Sequence, residues 1–379
     1  MAKKKAKIRT EFRKNRSVRT RQNDLTRKYE EDWFQDNDTP QQERVSGKGD
    51  LTRKRTVIGA ETSAGEAVFS VLPDINRATS LRGRVLSVQG LISTVQAEDK
   101  RLFRCVTRGL LRTLSTDQRH VVAAGDRVWF RADAAAEGVI ERVEPRHGVV
   151  NRNSRGRQHV LVTNVDQLMI VGSAAEPYLK PNLIDRLLVT AEKNGLQPIV
   201  CINKIDLVDP ADLQPLVGAY SQIGYRVLLV SVRTGQGVAH VRRALAEKES
   251  VITGQSGVGK SSLLNAVDST LSLPVQAVSR ETQKGRHTTT TARLVPLACG
   301  GYVVDTPGIR QFQPWDVVPE EIASYYRDIR PYVSFCRFPS CTHTHEVDCA
   351  VKDAVADARI DTRRYESYVQ LFAGDRPVG

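Results

Sequence analysis

The sequence predicts a multidomain protein in which a small β-barrel is followed by an α/β core and then by a small helical domain. Short β-rich runs broken by glycine and aspartate lie between residues 82 and 145, and strands alternating with helices begin after His159. Three cysteines cluster in the last block, beyond Pro307. We predict four parts: a basic, mostly disordered extension over 1–78, the barrel over 79–150, the α/β core over 151–314 and the helical domain over 315–379.

The first part is dominated by positive charge. The formal net charge of the chain is +13, and residues 1–28 carry twelve lysines and arginines against two acidic residues, Glu11 and Asp24. A polar segment of this kind buries too little apolar surface to order by itself, and it is suited to contact a polyanion such as RNA. A solvated basic tail without a specific partner is the alternative.

The barrel is predicted from β-rich runs at residues 84–95, 101–107, 126–131 and 139–143. Gly90, Gly125 and Gly138 punctuate them. Four or five short strands in about 65 residues favour a closed barrel of the OB type, whose face and loops commonly hold oligonucleotides. An SH3-like barrel or a plain structural spacer fits the same pattern.

The α/β core is predicted from a regular alternation of strands and helices. The strands are expected at residues 160–171, 198–202, 226–232, 249–253, 291–297 and 302–305, and the helices at 182–194, 211–223, 237–247 and 260–267. Such an alternation is typical of a mostly parallel sheet covered by helices on both faces. Further helices are expected at 319–330 and 353–372, in the last part of the chain.

A phosphate-binding loop, or P-loop, connects the strand at 249–253 to the helix at 260–267. The residues that fit its pattern, G-x-x-x-x-G-K-[ST], are Gly254, Gln255, Ser256, Gly257, Val258, Gly259, Lys260 and Ser261, with Ser262 following. Glycines let backbone N–H groups turn toward phosphates, and the N-terminal end of the helix favours the same anions. We expect Lys260 to reach the β- and γ-phosphates and assist catalysis, and Ser261 to bind Mg²⁺.

A guanine-reading motif, N-K-x-D, lies upstream of the P-loop instead of downstream. Asn203, Lys204 and Asp206 follow a predicted strand, at the edge where an α/β sheet binds ligands. The Asp206 carboxylate can accept from N1 and N2 of guanine, whereas adenine offers no matching pair of donors. Ser231 is expected near guanine O6, although Val232 replaces the alanine common in such loops. The inverted order predicts an α/β P-loop GTPase core with circularly permuted motif order.

Two further segments complete the predicted nucleotide site. Asp305 and Gly308 belong to a D-x-x-G motif, in which the aspartate would hold Mg²⁺ through water and the glycine amide would sense the γ-phosphate. Residues 285–291 form a hydroxyl-rich stretch suited to a first switch. We expect Thr289 to complete the coordination shell of Mg²⁺, with Thr288 and Thr290 as alternatives.

The nucleotide-binding motifs do not themselves supply the residue that orients the attacking water. Ile309 stands after the D-x-x-G motif, where Ras-like enzymes have a glutamine, and it cannot orient water. His287, beside the switch threonines, has the chemistry to do so. The alternative is that His287 only packs or touches a partner.

The cysteine cluster predicts one structural Zn²⁺ ion. Cys336, Cys341, His343 and Cys349 offer three thiolates and an imidazole, which is a tetrahedral Cys₃His set. His345 is an alternative to His343. Reduced cysteines suit the cytoplasm, and the sequence shows neither a secretory h-region nor the roughly 18 to 20 apolar residues of a membrane span. We expect a cytoplasmic monomer that does not bind membranes.

Together these motifs resemble those of the ribosome small-subunit-dependent GTPase A family, which are circularly permuted GTPases of ribosome maturation. The resemblance covers about residues 80–372 and departs from the family in the long basic extension and at Val232. It implies an OB-fold, a permuted GTPase core and a C-terminal zinc domain bound to the small subunit and its rRNA. It also implies GTP hydrolysis stimulated by that subunit, with His287 replacing the missing glutamine.

The leading hypothesis is thus a GTP phosphohydrolase, converting GTP and water to GDP and phosphate, that acts as a late assembly or checkpoint factor on the small (30S-type) ribosomal subunit. One alternative is a non-catalytic RNA-binding module that uses GTP only as a structural ligand, which the missing glutamine allows. The other alternative is an ATPase or small-molecule kinase, which would need a base pocket that does not use Asp206.

Overall fold

The computed structural model describes residues 6–11, 54–61, 71–113, 121–134, 136–154, 157–273, 292–305 and 317–374. The strands are β1 (Ala6–Glu11), β2 (Lys54–Glu61), β3 (Val71–Pro73), β4 (Leu81–Gln89), β5 (Ile92–Ala97), β6 (Leu102–Thr107), β7 (Arg127–Ala134), β8 (Glu137–Val143), β9 (Val150–Ser154), β10 (Arg157–Val162), β11 (Gln167–Ser173), β12 (Gln197–Asn203), β13 (Arg226–Leu229), β14 (Glu249–Thr253), β15 (Arg293–Pro296) and β16 (Tyr302–Asp305). The α-helices are α1 (Gly109–Thr113), α2 (Pro181–Lys193), α3 (Pro210–Gln222), α4 (Val238–Leu245), α5 (Lys260–Val267), α6 (Ile322–Tyr325), α7 (Arg330–Val333), α8 (Ala350–Ala356) and α9 (Thr362–Ala373). Short 3₁₀ turns span Ile205–Leu207 and Pro319–Glu321.

Part of the basic extension forms a small antiparallel sheet. Strands β1, β2 and β3 pair in that order, with Ile8 opposite Val57 and Ala60 opposite Leu72. The charged composition of this segment predicts that it is mostly disordered. Strand β2 carries the β-branched run Thr56-Val57-Ile58, which favours strand pairing. The rest of the extension lies outside the described residues.

The five strands β4 to β8 close into a barrel. The hydrogen-bonded order runs β4-β5-β6-β8-β7 and returns to β4, and β6 and β8 are the parallel pair. This order is the OB-fold, so the predicted barrel type is confirmed. The run expected over 84–95 is two strands, because Gly90 adopts a positive φ of 62° and turns the chain between β4 and β5. Phe103, Phe130 and Ile140 fill the barrel interior.

The α/β core has a six-stranded sheet in the order β13-β12-β11-β14-β16-β15. Its first five strands are parallel and β15 is antiparallel to β16. Side chains alternate between two apolar layers, one around Ile170 and Leu188 and one around Met169 and Leu263. Helices therefore cover both faces of the sheet, as the alternating pattern predicted.

The barrel is attached to the core by strand pairing and by a polar contact. Arg293 of β15 pairs with Ser87 of β4, which joins the two sheets. Glu249, at the start of β14, forms an ion pair with Arg84 of the barrel. The Tyr302 hydroxyl donates to Gln96 Oε1 over 2.7 Å. Strand β14 is consequently tied to the barrel at the end opposite its P-loop.

The C-terminal part is built from four short helices rather than the two longer ones expected. The helix predicted over 353–372 is broken where Ala358 takes a positive φ of 56° and Asp361 caps α9 by accepting from the Arg363 amide over 2.9 Å. The core of the C-terminal part contains Tyr326, Ile360 and Tyr368 and packs against Val189 of α2. Among the described residues, no helix has the length and apolar character needed to cross a bilayer.

Candidate active site

The predicted nucleotide motifs meet at the carboxyl-terminal edge of the parallel strands. The guanine-reading motif begins at Asn203, the last residue of β12, and the P-loop begins after Thr253, the last residue of β14. Strand β11 lies between β12 and β14 and is parallel to both. Segments about fifty residues apart in the chain are therefore neighbours at the edge where α/β sheets bind ligands.

The P-loop depends on glycines at its turns. Gly254, Gly257 and Gly259 have φ values of 145°, 83° and 92°, which other residues rarely adopt. A Cβ on Gly254 would also collide with the Val171 carbonyl. The loop runs directly into α5 at Lys260, so the first turn of that helix presents its free amides toward the loop. Ser261 and Ser262 lie in this first turn, half-buried.

Lys260 folds back over its own loop. Its Nζ donates to the carbonyls of Gly254 and Gln255, over 2.8 and 2.7 Å. Because both acceptors are P-loop carbonyls, the ammonium lies within the loop that would surround phosphates. Lys260 is half-buried, so its charge acts in a partly desolvated setting where Coulomb attraction to an anion is stronger than in bulk water.

Asn203 links the guanine-reading motif to the P-loop. Its Nδ2 donates to the Val258 carbonyl over 2.9 Å, and its Oδ1 accepts from the Val232 amide over 3.4 Å. Only 2 % of Asn203 is exposed, which makes both contacts costly to lose. One side chain thus joins β12, the P-loop and the loop after β13.

Asp206 is held by two side chains from the loop after β13. The Ser231 hydroxyl donates to Asp206 Oδ1 over 2.6 Å, and Arg233 Nε lies 2.8 Å from Asp206 Oδ2. The hydrogen bond from Ser231 and the charge of Arg233 lower the pKa of Asp206, so the carboxylate is ionised at neutral pH. Ser231 therefore positions Asp206 and is itself buried.

Neither Arg233 nor the loop before α2 is predicted from the sequence to belong to the site. The Lys204 ammonium donates to the carbonyl of Glu176, a residue of that loop, and Lys204 and Glu176 both have positive φ. No motif identifies these contacts, because they depend on how separate loops fold over one edge. A cation two residues after Ser231 was the available signal for Arg233.

The remaining predicted residues are described only in part. Asp305 ends β16, beside β14 at the same edge, but its side chain is outside the described set. Gly308, His287 and Thr289 lie outside the described residues, as do the alternatives Thr288 and Thr290. Their assignments stay predictions.

The cysteine cluster forms a second site, in the C-terminal part. The ligand atoms of Cys336, Cys341, His343 and Cys349 all lie within 4.8 Å of one another. His343 Nδ1 is 3.4 Å from Cys336 Sγ and 3.5 Å from Cys349 Sγ, and the two sulfurs are 3.9 Å apart. Bonds of about 2.3 Å to a tetrahedral ion would put neighbouring sulfurs roughly 3.8 Å apart. The donor set therefore fits a metal ion.

The surroundings of this cluster orient its histidine. His343 is buried, and its carbonyl accepts from the Tyr365 hydroxyl over 2.8 Å, while the neighbouring Thr342 carbonyl accepts from Tyr368 over 2.8 Å. His345 is exposed and contacts Thr344 Oγ1 instead of the thiols. Burial raises the pKa of Cys341 to about 12, so metal binding has to displace thiol protons.

Comparison with known proteins places these observations in a family. Residues 143–315 match the family model described as RsgA GTPase. The "Small ribosomal subunit biogenesis GTPase RsgA" of Sodalis glossinidius is 39% identical over an alignment of 305 residues, and the match covers 76% of this chain and 84% of that protein. The protein of the same name from Thermotoga petrophila is 40% identical over an alignment of 296 residues, and the match covers 77% of this chain and 95% of that protein.

Two solved structures support the same family assignment. The crystal structure of YjeQ from Thermotoga maritima matches with a TM-score of 0.65 and 36% identity, covering 78% of this chain and 100% of that one. The structure of YloQ, described as a circularly permuted GTPase, matches with a TM-score of 0.62 and 30% identity, covering 79% and 97%. The fold and the site define a circularly permuted GTPase. The chain belongs to the RsgA GTPase family.

Proposed function

We propose that this protein hydrolyses GTP as a late assembly or checkpoint factor on the small ribosomal subunit. The observation that carries the proposal is the contact of Asn203 with Val258, which brings the guanine-reading motif against the P-loop. A base and a triphosphate of one nucleotide can then be held along a single sheet edge. The relatives named small ribosomal subunit biogenesis GTPase support the choice of partner.

Guanine is read by Asp206. Its two oxygens accept from N1–H and N2–H of the base, and Ser231 keeps the carboxylate ionised and aligned. Lys204, whose ammonium is tied to Glu176, borders the same pocket and lies along the base. Adenine lacks the two donors, so ATP would leave Asp206 unsatisfied and bind more weakly.

The phosphates are held by the P-loop. The amides of residues 254–261 and the Lys260 ammonium neutralise the β- and γ-phosphates, and the first turn of α5 adds its free N–H groups. Ser261, Asp305 and Thr289 hold the Mg²⁺ ion that accompanies GTP and offsets phosphate charge. His287 orients the attacking water, and the Gly308 amide senses the γ-phosphate.

The Cys₃His cluster holds a structural zinc ion. All four donors come from the protein, so the set leaves no ligand position for a substrate. When bound, zinc would cross-link the loop from Cys336 to Cys349 in a segment that has only short helices to order it.

Ribosomal RNA is the partner of the barrel and the extension. On β6 the side chains of Leu102, Arg104 and Val106 are exposed while alternate residues are buried. Mixed arginine and apolar faces on these OB-fold strands are suited to nucleic acid. The cations among residues 1–28 add contacts to phosphates, so binding should weaken steeply with salt.

The test is GTP turnover measured with added small subunits, large subunits or free RNA, at 50 and 200 mM salt. We expect small subunits alone to stimulate turnover. The subunit concentration that gives half-maximal stimulation should rise roughly a thousandfold or more at the higher salt.

Lys260→Ala should abolish turnover. His287→Ala should bind GTP normally and lose most hydrolysis, and normal turnover in that variant would remove His287 from the mechanism. Turnover that no subunit stimulates would contradict the proposed partner.

A further inference from the structure

The base-reading carboxylate is already engaged by a cation of the same chain. Arg233 Nε lies 2.8 Å from Asp206 Oδ2, while Ser231 occupies Oδ1. The side chain of Arg233 is 73% exposed, whereas that of Asp206 is 11% exposed. The carboxylate is thus fixed in the protein, and the arginine reaches it from the solvent side.

The guanidinium group is a close chemical match for the edge of guanine that Asp206 would read. Carbon C2 of guanine is bonded to three nitrogens, and its N1–H and N2–H point in parallel like two N–H bonds of a guanidinium. Both groups donate to a carboxylate as a planar fork. Arg233 and guanine therefore compete for the same acceptor, Asp206 Oδ2.

We propose that Arg233 is an internal competitor of guanine, which sets nucleotide affinity by closing the base site in the free protein. The inference rests on the proposed guanine-reading role of Asp206. A nucleotide enters when Arg233 swings away, a movement that costs little packing because most of its side chain is exposed. Ser231 stays in place throughout, because it contacts the other oxygen.

Competition of this kind has a defined effect on affinity. The apparent dissociation constant equals the intrinsic one divided by the fraction of molecules with an open site. If the pair is closed about nine-tenths of the time, binding is weakened about tenfold. A charge-assisted hydrogen bond between an exposed arginine and a mostly buried carboxylate supports an effect of about three- to tenfold.

The experiment compares GDP and guanosine binding by wild type and Arg233→Met, which keeps the length of the side chain without its donors. We expect both ligands to bind about three- to tenfold more tightly to the variant. If Arg233 only attracted the nucleotide through its charge, Arg233→Met would bind GDP more weakly, because loss of a positive charge disfavours an anionic nucleotide. Arg226→Met, at the far end of β13, is the matched control and should leave both affinities unchanged.

A double-mutant cycle shows whether the effect passes through Asp206. Xanthine carries a C2 carbonyl in place of the amine, so Asp206→Asn should prefer xanthosine diphosphate (XDP), with its amide pairing to that edge. In the Asp206→Asn background the ion pair is gone, and adding Arg233→Met should change XDP affinity less than twofold. An equal gain in that background would overturn the proposal, as would unchanged or weaker GDP binding by Arg233→Met or Arg233→Ala.

The same measurements separate this inference from the proposed function. If Asp206→Asn fails to shift preference from GDP to XDP, the guanine-reading role of Asp206 is wrong and the proposed function falls with it. If the shift occurs but Arg233→Met gains nothing, only the competitor role is wrong. Equal thermal unfolding of wild type and Arg233→Met confirms that the comparison is between folded proteins.

Discussion

Asn203 shows how one buried side chain can connect segments that are far apart along the chain. It bonds to Val258 of the P-loop and to Val232 of the loop after β13. It also constrains Gly259, because a Cβ there would lie 2.5 Å from Asn203 Nδ2. The P-loop glycine is thus required both by its positive φ and by the amide that lies against it.

Replacing Asn203 with alanine should weaken nucleotide binding strongly. The Val258 carbonyl loses its partner, and an unsatisfied buried group costs about 1 to 3 kcal/mol. The free protein relieves this cost by opening the P-loop, which nucleotide must close again, so affinity should fall by up to the same free energy, roughly 5- to 150-fold. GDP affinity measured by titration with a fluorescent analogue tests this. Asn194→Ala, which removes a hydrogen bond to Thr190 at the end of α2, is the control and should not alter GDP binding. Wild-type affinity in Asn203→Ala would contradict the linking role.

At this scale the sequence identifies residues whose chemistry is local. The P-loop and N-K-x-D motifs are contiguous, so their residues and their order could be read directly from the chain. The Arg233–Asp206 pair and the Lys204–Glu176 contact could not, because they form between loops whose relative positions depend on the whole sheet. His287 and Thr289 remain predictions from their motif alone.

Helix α9 fastens the C-terminal part to the core through one buried arginine. Arg364 makes two bonds to Asp328, over 3.0 and 2.8 Å, and lies 2.5 Å from Asp185 of α2. Its side chain is 4% exposed and lies 4.5 Å from the centre of the Tyr326 ring. The Tyr220 hydroxyl of α3 donates to the same Asp185, so three helices share this network.

Arg364→Met should destabilise the protein much more than its neighbour Arg363→Met. Removing Arg364 leaves two buried carboxylates without their cation, which costs about 3 to 5 kcal/mol. Arg363 pairs with Asp361 at a side chain that is 43% exposed, and such a surface pair contributes about 1 kcal/mol or less. Urea unfolding followed by circular dichroism measures both. A loss in Arg364→Met no larger than in Arg363→Met would show that the network does not hold α9 in place.

Most elements of the core were predictable, because strands and helices there follow simple periodicities. Strands β14 and β16 and helix α5 match the expected ranges. The range 160–171 contains the end of β10 and most of β11, and the other core elements differ at their ends. The C-terminal helices were not predictable in the same way, because an apolar pattern continues through the break near Ala358. Only the backbone conformation at Ala358 and the Asp361 cap stop the helix there, and neither carries a strong signal in one sequence.

On the scale of the whole molecule, separate clusters of buried side chains stabilise the barrel, the two faces of the sheet and the C-terminal part. The contacts between them are polar in some places, such as Arg84 with Glu249 and Arg364 with Asp185, and apolar in others, such as Val189 of α2 in the C-terminal core. Damage to one cluster should be felt most strongly within that cluster.

Loss of the metal is expected to loosen the C-terminal part and spare the nucleotide site. Cys341→Ser, or chelation under reducing conditions, should increase proteolysis within residues 317–374 and reduce small-subunit binding. GTP affinity should change less than about twofold, because among the described residues the hydrogen bonds of the four cluster side chains stay within the C-terminal part. Cys299→Ser, outside the cluster, is the control. A large fall in GTP affinity would show that the two sites are coupled.

The order of the strands decides what the growing chain exposes during synthesis. Strands β11, β12 and β13 are translated before β14, yet in the finished sheet β14 pairs along β11 from Gln167 to Ile170. Until residues 249–253 emerge, that side of β11 is a bare edge of unsatisfied amides and carbonyls, open to pairing with other nascent chains. The segment proposed to select the base is thus synthesised, but its sheet edge is unprotected, before the segment proposed to hold the phosphates exists.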